Sequence, residues 1–179
     1  MSQLDPMLIE RAKKIRLLAL DVDGVLTDGK LYFDSAGNEL KAFNTRDGLG
    51  MKALQKYGIR LAIITGRASP MVTQRAEALG IDFVYQGSEN KLLAYTDLLQ
   101  KSGVEEDQVC FAGDDWIDLP VLLRVGLAVT VPGADDEVRN RVHWVTSRSG
   151  GDGAVREICD LILTAQGHHQ NLLQEILDQ

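Results

Sequence analysis

Short apolar segments alternate with helix-like segments along most of the chain, and this alternation constrains the fold more than any other feature. The apolar segments predict β-strands over 15–22, 60–65, 82–85, 108–112, 127–131 and 143–145. Helices are predicted between and after them, over 47–57, 69–79, 90–101, 115–125, 135–140 and 152–164. Strands that alternate with helices form right-handed βαβ units in a parallel sheet covered on both faces. We therefore expect an α/β fold, a doubly wound parallel sheet of the Rossmann type.

Two segments depart from the alternation. Residues 30–34 and 39–44 flank a polar loop, 35–38, and predict a β-hairpin flap directly after the first strand. The C-terminal tail, 166–179, follows the last core helix and is either a short terminal helix or a partly disordered arm. The sequence contains no linker or repeat, so we expect one domain over 1–179.

Charge and composition narrow the function classes. The chain has 179 residues and a formal net charge of -7, which gives no general electrostatic footprint for nucleic acid or an anionic membrane. Residues 1–16 lack the apolar core of a signal peptide, and no apolar run approaches the roughly 20 residues of a membrane span. We therefore expect a cytoplasmic protein whose partner is a small molecule.

Polar and charged residues follow several of the predicted strands. They are Asp21, Asp23, Thr65, Arg67, Asp114 and Asp115, with Gly66 between Thr65 and Arg67, and with Lys91 at the start of the helix after the 82–85 strand. Ligands of open α/β sheets bind at the carboxyl ends of the strands, so these residues predict one site. Clustered carboxylates without His or Cys favour a hard cation such as Mg²⁺. A carboxylate beside Mg²⁺ can act as a nucleophile toward phosphorus.

Four segments together resemble the motifs of the haloacid dehalogenase (HAD) superfamily, in its order and spacing. They are 21–27 (DVDGVLT), 63–67 (IITGR), Lys91 and 113–118 (GDDWID). The resemblance implies a Mg²⁺-dependent phosphatase in which Asp21 is the nucleophile and Asp23 the general acid/base. It implies that Thr65 and Lys91 hold the phosphoryl group. The implied metal ligands are the Asp21 carboxylate, the Asp23 backbone carbonyl and Asp114; Asp118 supports them, and Asp115 is a weaker candidate.

Two features of the sequence narrow the class of substrate: the absence of room for a cap domain, and the cations beyond the phosphate position. Neither usual insertion point, after the hairpin or over 86–90, has room for a cap domain, so we expect the capless branch of the superfamily. Cations beyond the phosphate position suggest a substrate with a second anionic group, such as a carboxylate. The expected substrate-binding residues are Asp23, Asn44, Thr45, Arg46, Asp47, Gly48, Lys52, Gly66, Arg67, Arg75 and Lys91.

Within the capless branch, the segments 21–29, 43–48, 65–67 and 113–120 resemble the phosphatases of 3-deoxy-D-manno-octulosonate (Kdo) 8-phosphate. This resemblance implies release of Kdo for lipopolysaccharide synthesis. It also implies a homotetramer in which hairpins associate and a neighbour covers each site, to which 149–153 and the tail could contribute.

Two alternatives remain open. The first is a phosphatase for another acidic sugar phosphate, such as a nine-carbon ulosonate 9-phosphate. The second, of a different class, is a receiver-type phospho-signalling domain. Motif order disfavours the receiver, because receivers place an acidic pair first and the phosphorylated Asp on a later strand.

Overall fold

The computed structural model describes residues 5–178. The strands are β1 Leu17–Leu20, β2 Tyr32–Phe33, β3 Glu39–Leu40, β4 Arg60–Ile64, β5 Phe83–Tyr85, β6 Val109–Ala112, β7 Leu127–Thr130 and β8 Trp144–Val145. The helices are α1 Pro6–Lys14, α2 Thr45–Lys56, α3 Pro70–Leu79, α4 Lys91–Ser102, α5 Leu119–Leu122, α6 Asp136–Arg139, α7 Ala154–Ala165 and α8 His169–Leu177. Two 3₁₀ turns, Glu106–Gln108 and Trp116–Asp118, accompany them.

Six strands form one parallel sheet in the order β5-β4-β1-β6-β7-β8, which confirms the predicted fold class. The chain moves outward from β1 to β4 and β5, and then returns to build β6, β7 and β8 on the other side. The strand order therefore reverses between β1 and β6, and ligands of such sheets bind beside this switch point.

Both faces of the sheet are buried, as near-continuous apolar strands require. On one face, Leu18 and Leu20 of β1 belong to a cluster that includes residues of α1, α2, α3 and α7. On the other face, Leu17 and Ala19 pack with Phe111 and with residues of α4 and α5. These two layers fix the sheet, and with it the positions where the strands end.

The predicted hairpin is present as the antiparallel pair β2–β3, the second sheet of the described residues. Only α2 lies between β3 and β4, and only residues 86–90 separate β5 from α4. The carboxyl edge of the sheet therefore has the hairpin beside it and no larger insertion at either position.

Three predictions of local structure differ from the fold. Helix α1 was not predicted from the charged N-terminal segment. The helix predicted over 115–125 is a 3₁₀ turn followed by the four-residue α5, with Pro120 at the start of α5. Of the two alternatives for the tail, the helix is the one observed, as α8. None of the helices described is long and apolar enough to cross a membrane.

Candidate active site

The loop after β1 brings Asp21 to the switch point. The Asp21 backbone N–H donates to the Ala112 carbonyl of β6 over 2.9 Å, so the loop begins tied to the neighbouring strand. The Thr27 hydroxyl donates to the Val22 carbonyl over 3.3 Å and accepts from the backbone N–H of Gly24 over 3.4 Å. These bonds close the loop into a compact turn with Asp21 buried at its base.

Lys91, the first residue of α4, contacts two of the acidic residues. Its side chain is fully buried, and its Nζ lies 2.8 Å from Asp21 Oδ1 and 2.6 Å from Asp118 Oδ1. The second Asp118 oxygen accepts from the backbone N–H groups of Asp114 and Asp115, over 2.9 and 3.2 Å. Asp118 therefore fixes both Lys91 and the loop that carries Asp114.

Burial and the interactions between neighbouring charges shift the pKa values of these residues. Burial, reinforced by Asp118, raises the pKa of Asp21 to about 6 although Lys91 opposes the shift. Burial, reinforced by Asp21 and Asp118, raises the pKa of Asp114 to about 7. Burial works against the charge of Lys91, but Asp21 and Asp118 outweigh it, and the pKa of Lys91 is raised. One lysine thus faces three carboxyl groups, which leaves excess negative charge.

The acidic group fits a magnesium ion. Asp21, Asp114 and Asp118 each offer a carboxylate oxygen, and these oxygens lie within 4.8 Å of one another. A set of oxygen donors with few protein ligands suits Mg²⁺, which keeps several waters. Because both Asp118 oxygens already have protein partners, Asp21 and Asp114 are the carboxylates free to bind the ion.

A cavity of about 260 Å³ opens above these groups. Its lining consists of Asp21, Asp23, Gly29, Thr65, Gly66, Arg67, Lys91, Asp114, Asp115 and Ile117. Thr65 is buried at the end of β4, where its backbone N–H donates to the Tyr85 carbonyl over 2.9 Å. The structure therefore brings the predicted catalytic and metal-binding positions into one cavity, with Asp118 directly beneath it.

Seven of the expected substrate-binding residues lie outside this cavity. They are Asn44, Thr45, Arg46, Asp47, Gly48, Lys52 and Arg75. Arg46 lines a separate cavity of about 210 Å³ with Arg148 and Arg156, and Lys52 lines another of about 250 Å³ beside α8.

Three others of these seven residues, Asn44, Asp47 and Arg75, have structural partners. Asn44 caps α2 by accepting from the Arg46 N–H over 2.8 Å, and it donates to the Gly151 carbonyl over 3.2 Å. Asp47 is buried and accepts from the Arg156 backbone N–H over 2.8 Å. Arg75 donates to the Asn44 carbonyl over 3.2 Å. Within one copy of the chain these residues stabilise the start of α2 and α7, and their substrate roles stay predictions.

Sequence reasoning missed two charged residues of the hairpin, Glu39 and Lys41. Lys41 makes an ion pair with Asp23, and its Nζ lies 3.2 Å from Glu39 Oε1. Arg67, the cation predicted for substrate, makes an ion pair with the other Glu39 oxygen over 2.9 Å. A signal was available, because residues two apart on an extended segment point to the same face. Glu39 and Lys41 share the face opposite to Leu40.

Comparisons with known proteins agree with this geometry. The sequence profile of the haloacid dehalogenase-like hydrolases matches residues 49–126. The protein named 3-deoxy-D-manno-octulosonate 8-phosphate phosphatase KdsC from Salmonella typhimurium is 49% identical over 164 residues, which is 92% of this chain and 87% of the relative. The protein of that name from Escherichia coli K12 is 51% identical over 159 residues, 89% of this chain and 85% of the relative.

Solved structures give the same result. The crystal structure of 3-deoxy-D-manno-octulosonate 8-phosphate phosphatase from Yersinia pestis has a TM-score of 0.91 at 48% identity, covering 93% of this chain and 90% of that one. The Moraxella catarrhalis phosphatase, solved with magnesium ion, phosphate ion and KDO, has a TM-score of 0.92 at 43% identity, covering 94% and 97%. The chain therefore belongs to the haloacid dehalogenase-like hydrolase family and, within it, to the group that includes the KdsC phosphatases.

Proposed function

We propose that this protein is a Mg²⁺-dependent phosphatase that hydrolyses Kdo 8-phosphate to Kdo and phosphate through an aspartyl-phosphate intermediate. The observation that carries the proposal is the single cavity in which Asp21, Asp23, Thr65, Lys91 and Asp114 meet. Relatives named for this activity, about half identical over most of the chain, support the substrate.

In the first half-reaction the Asp21 carboxylate attacks phosphorus and the bond from phosphorus to the sugar oxygen breaks. Asp23 gives its proton to that oxygen, so the sugar leaves as an alcohol. Lys91 and Thr65 hold the phosphoryl oxygens where negative charge develops.

In the second half-reaction the ionised Asp23 takes a proton from water. The water oxygen bonds to phosphorus, and the bond to Asp21 breaks, which releases inorganic phosphate and restores both carboxyl groups. Bound Mg²⁺, held by Asp21, Asp114 and the Asp23 backbone carbonyl, would neutralise the acidic cluster and the phosphate charge.

The activity and substrate are tested by steady-state kinetics. We expect kcat/KM to be highest for Kdo 8-phosphate, lower for nine-carbon ulosonate 9-phosphates and lowest for hexose phosphates. Chelator and Asp21→Asn should each abolish turnover while circular dichroism stays unchanged. A preference for hexose phosphates would overturn the substrate, and full activity of folded Asp21→Asn would overturn the nucleophile.

We also propose a homotetramer that completes the site. Four apolar side chains of the hairpin are exposed in one copy of the chain, those of Leu31, Tyr32, Phe33 and Leu40. Such a patch indicates a subunit contact. A neighbour could then supply the cations that lie outside the cavity. Light scattering at assay concentration tests this, and a monomer there would contradict it; the cytoplasmic location stays a prediction.

A further inference from the structure

The hairpin places one lysine against the carboxyl group proposed as general acid/base. Lys41 Nζ makes an ion pair with Asp23 Oδ1, and the Lys41 side chain is only 2% exposed. Its apolar neighbours on the hairpin point outward, with Phe33 60% and Leu40 54% exposed. The hairpin therefore directs a charged group inward while it leaves apolar groups in solvent, which is the reverse of what folding alone favours.

Burying an ammonium is costly unless paired charges surround it. Here Lys41 lies between two carboxylates, Asp23 and Glu39, and Glu39 in turn accepts from Arg67 over 2.9 Å. Two cations and two anions thus form an ion-pair network with no net charge, which runs from the loop after β1 through the hairpin to the loop after β4. Both ends of this ion-pair network, Asp23 and Arg67, line the cavity.

The two carboxyl oxygens of Asp23 have different surroundings. Oδ1 accepts from Lys41, whereas no hydrogen bond within residues 5–178 involves Oδ2. The Asp23 side chain is 24% exposed, so the carboxyl group faces the cavity while one of its oxygens is bound to Lys41. A general acid must have its proton within hydrogen-bond reach of the leaving oxygen, and a carboxyl group anchored at one oxygen meets this condition.

We propose that Lys41 is a positioning residue for the reaction: its ammonium holds Asp23 so that the free oxygen faces the leaving oxygen and later the attacking water. Glu39 holds Lys41 in place and, through its ion pair with Arg67, includes Arg67 in the same ion-pair network. The hairpin therefore takes part in catalysis from within its own subunit. This inference rests on the proposed phosphatase function, in which Asp23 transfers the proton.

The test uses the different need of two leaving groups for a proton. An alkyl phosphate releases a strongly basic alkoxide and needs the proton from Asp23, whereas p-nitrophenyl phosphate releases a weakly basic phenolate that leaves without it. We expect Lys41→Ala to lower kcat/KM for the sugar phosphate by about 10²-fold, at the low end of general acid contributions. For p-nitrophenyl phosphate we expect a loss of less than about 5-fold, because proton transfer contributes little to that reaction.

Chemical rescue makes the test specific for the ammonium. Ethylammonium in the assay should restore part of the sugar phosphate activity of Lys41→Ala and leave the wild-type rate unchanged. Lys30→Ala is the matched control, because Lys30 lies on the opposite arm of the hairpin, before β2, with a side chain 73% exposed. It should keep wild-type kinetics with both substrates.

Further variants keep the test decisive, and two results separate a failure of the positioning role from a failure of the proposed function. If Lys41→Ala does not fold, Lys41→Met, which keeps the side-chain length, replaces it, and Glu39→Gln should give a weaker effect of the same pattern. Equal losses on both substrates, or no loss on either, would overturn the positioning role. If the wild-type protein hydrolyses neither phosphate ester, the proposed function fails instead, so the two failures are distinguishable.

Discussion

The carboxyl groups of the site approach one another because glycines leave room between them. Gly24 has a φ of +91°, and a Cβ there would lie 1.9 Å from Asp114 Oδ2. A Cβ at Gly113 would lie 2.4 Å from Asp118 Cγ. Both glycines therefore let a carboxylate lie against backbone, and this contact sets the spacing of the proposed metal ligands.

The first prediction tests Gly24. In Gly24→Ala the added methyl group should displace Asp114 and lower Mg²⁺ affinity by at least about 10-fold, equivalent to about 1.4 kcal/mol. Isothermal titration calorimetry of the metal-free protein measures this. Gly37→Ala is the matched control: Gly37 has a φ of +83°, but a Cβ added there would have no atom of residues 5–178 within 4 Å apart from its chain neighbours. Both variants carry backbone strain of ~1–2 kcal/mol, so Gly37→Ala should lose stability without losing Mg²⁺ affinity. Equal affinity in the two variants would reject the spacing argument.

The raised pKa values of Asp21 and Asp114 predict how Mg²⁺ stabilisation varies with pH. Burial and neighbouring acids raise the pKa of Asp21 to about 6 and that of Asp114 to about 7. The folded, metal-free protein therefore holds protons that the unfolded chain releases above its carboxyl pKa of about 4. Metal-free stability should consequently fall as pH rises from about 4 to 7.

Mg²⁺ must displace those protons, so its effect should grow as pH rises. We expect the Tm difference between Mg²⁺ and chelator to be larger at pH 8 than at pH 6, measured by scanning calorimetry. Asp114→Asn should have a smaller difference at both pH values. A larger difference at pH 6 than at pH 8 would show that protons do not compete with the metal for the two carboxyl groups.

At the scale of elements, local sequence signals account for most helices and strands. Gly80 and Gly103 end α3 and α4 in the left-handed conformation, as their positions after the apolar periodicity indicate. Helix α1 also had a signal, because Asp5 caps it by accepting from the Met7 N–H and Pro6 occupies its first turn. Asp118 could not be interpreted so simply: its inward position depends on Lys91, 27 residues earlier in the chain.

The element-scale prediction concerns Asp47, which joins α2 to α7. Its carboxylate accepts from the Arg156 N–H in the first turn of α7, and its other oxygen is buried without a hydrogen-bond partner among residues 5–178. Asp47→Ala leaves that N–H unpaired, so we expect a loss of ~1–3 kcal/mol in the free energy of unfolding. Asp47→Asn keeps the acceptor and removes the buried charge, and should be at least as stable as the wild type at pH 7.

The wild type and Asp47→Asn should also differ in how their stability depends on pH. Burial raises the pKa of Asp47, although the Arg156 and Gly153 backbone groups oppose the shift. The wild type should therefore lose stability relative to Asp47→Asn as pH rises above about 4, the ordinary carboxyl pKa. Urea denaturation of both proteins across this range measures the difference. A constant difference would show that the buried carboxyl does not titrate in this window.

At the scale of the whole molecule, the catalytic groups and the additional cations are separated. The motifs at the strand ends could be predicted to meet, because parallel strands end at one edge. The positions of Arg46, Lys52 and Arg75 could not, since their place on a helix gives no information on which copy of the chain these side chains serve. The exposed hairpin and the separate cavities of Arg46 and Lys52 are the observations that favour a site shared between subunits.

The last prediction distinguishes a shared site from one complete in each subunit. Asp21→Asn lacks the nucleophile but keeps the cations, whereas the double variant Arg46→Ala/Arg75→Ala lacks the cations but keeps the nucleophile. Each protein alone should be inactive toward Kdo 8-phosphate. If cations act across the interface, hybrid oligomers contain sites with both an intact Asp21 and an intact neighbour. Random equal mixing makes about a quarter of the sites complete in a closed symmetric assembly.

We therefore expect the mixture, after dissociation and reassociation, to recover up to about a quarter of the wild-type activity, because half of the sites keep Asp21 and half of those have an intact neighbour. Native mass spectrometry of the mixture verifies that hybrids form. Mixing Asp21→Asn with Asp114→Asn is the control, since both lesions lie in the same cavity of one subunit and no hybrid site is complete. Verified hybrids without recovery would mean that Arg46 and Arg75 act within their own subunit, by stabilising the start of α2, and that the second anion of the substrate is bound elsewhere.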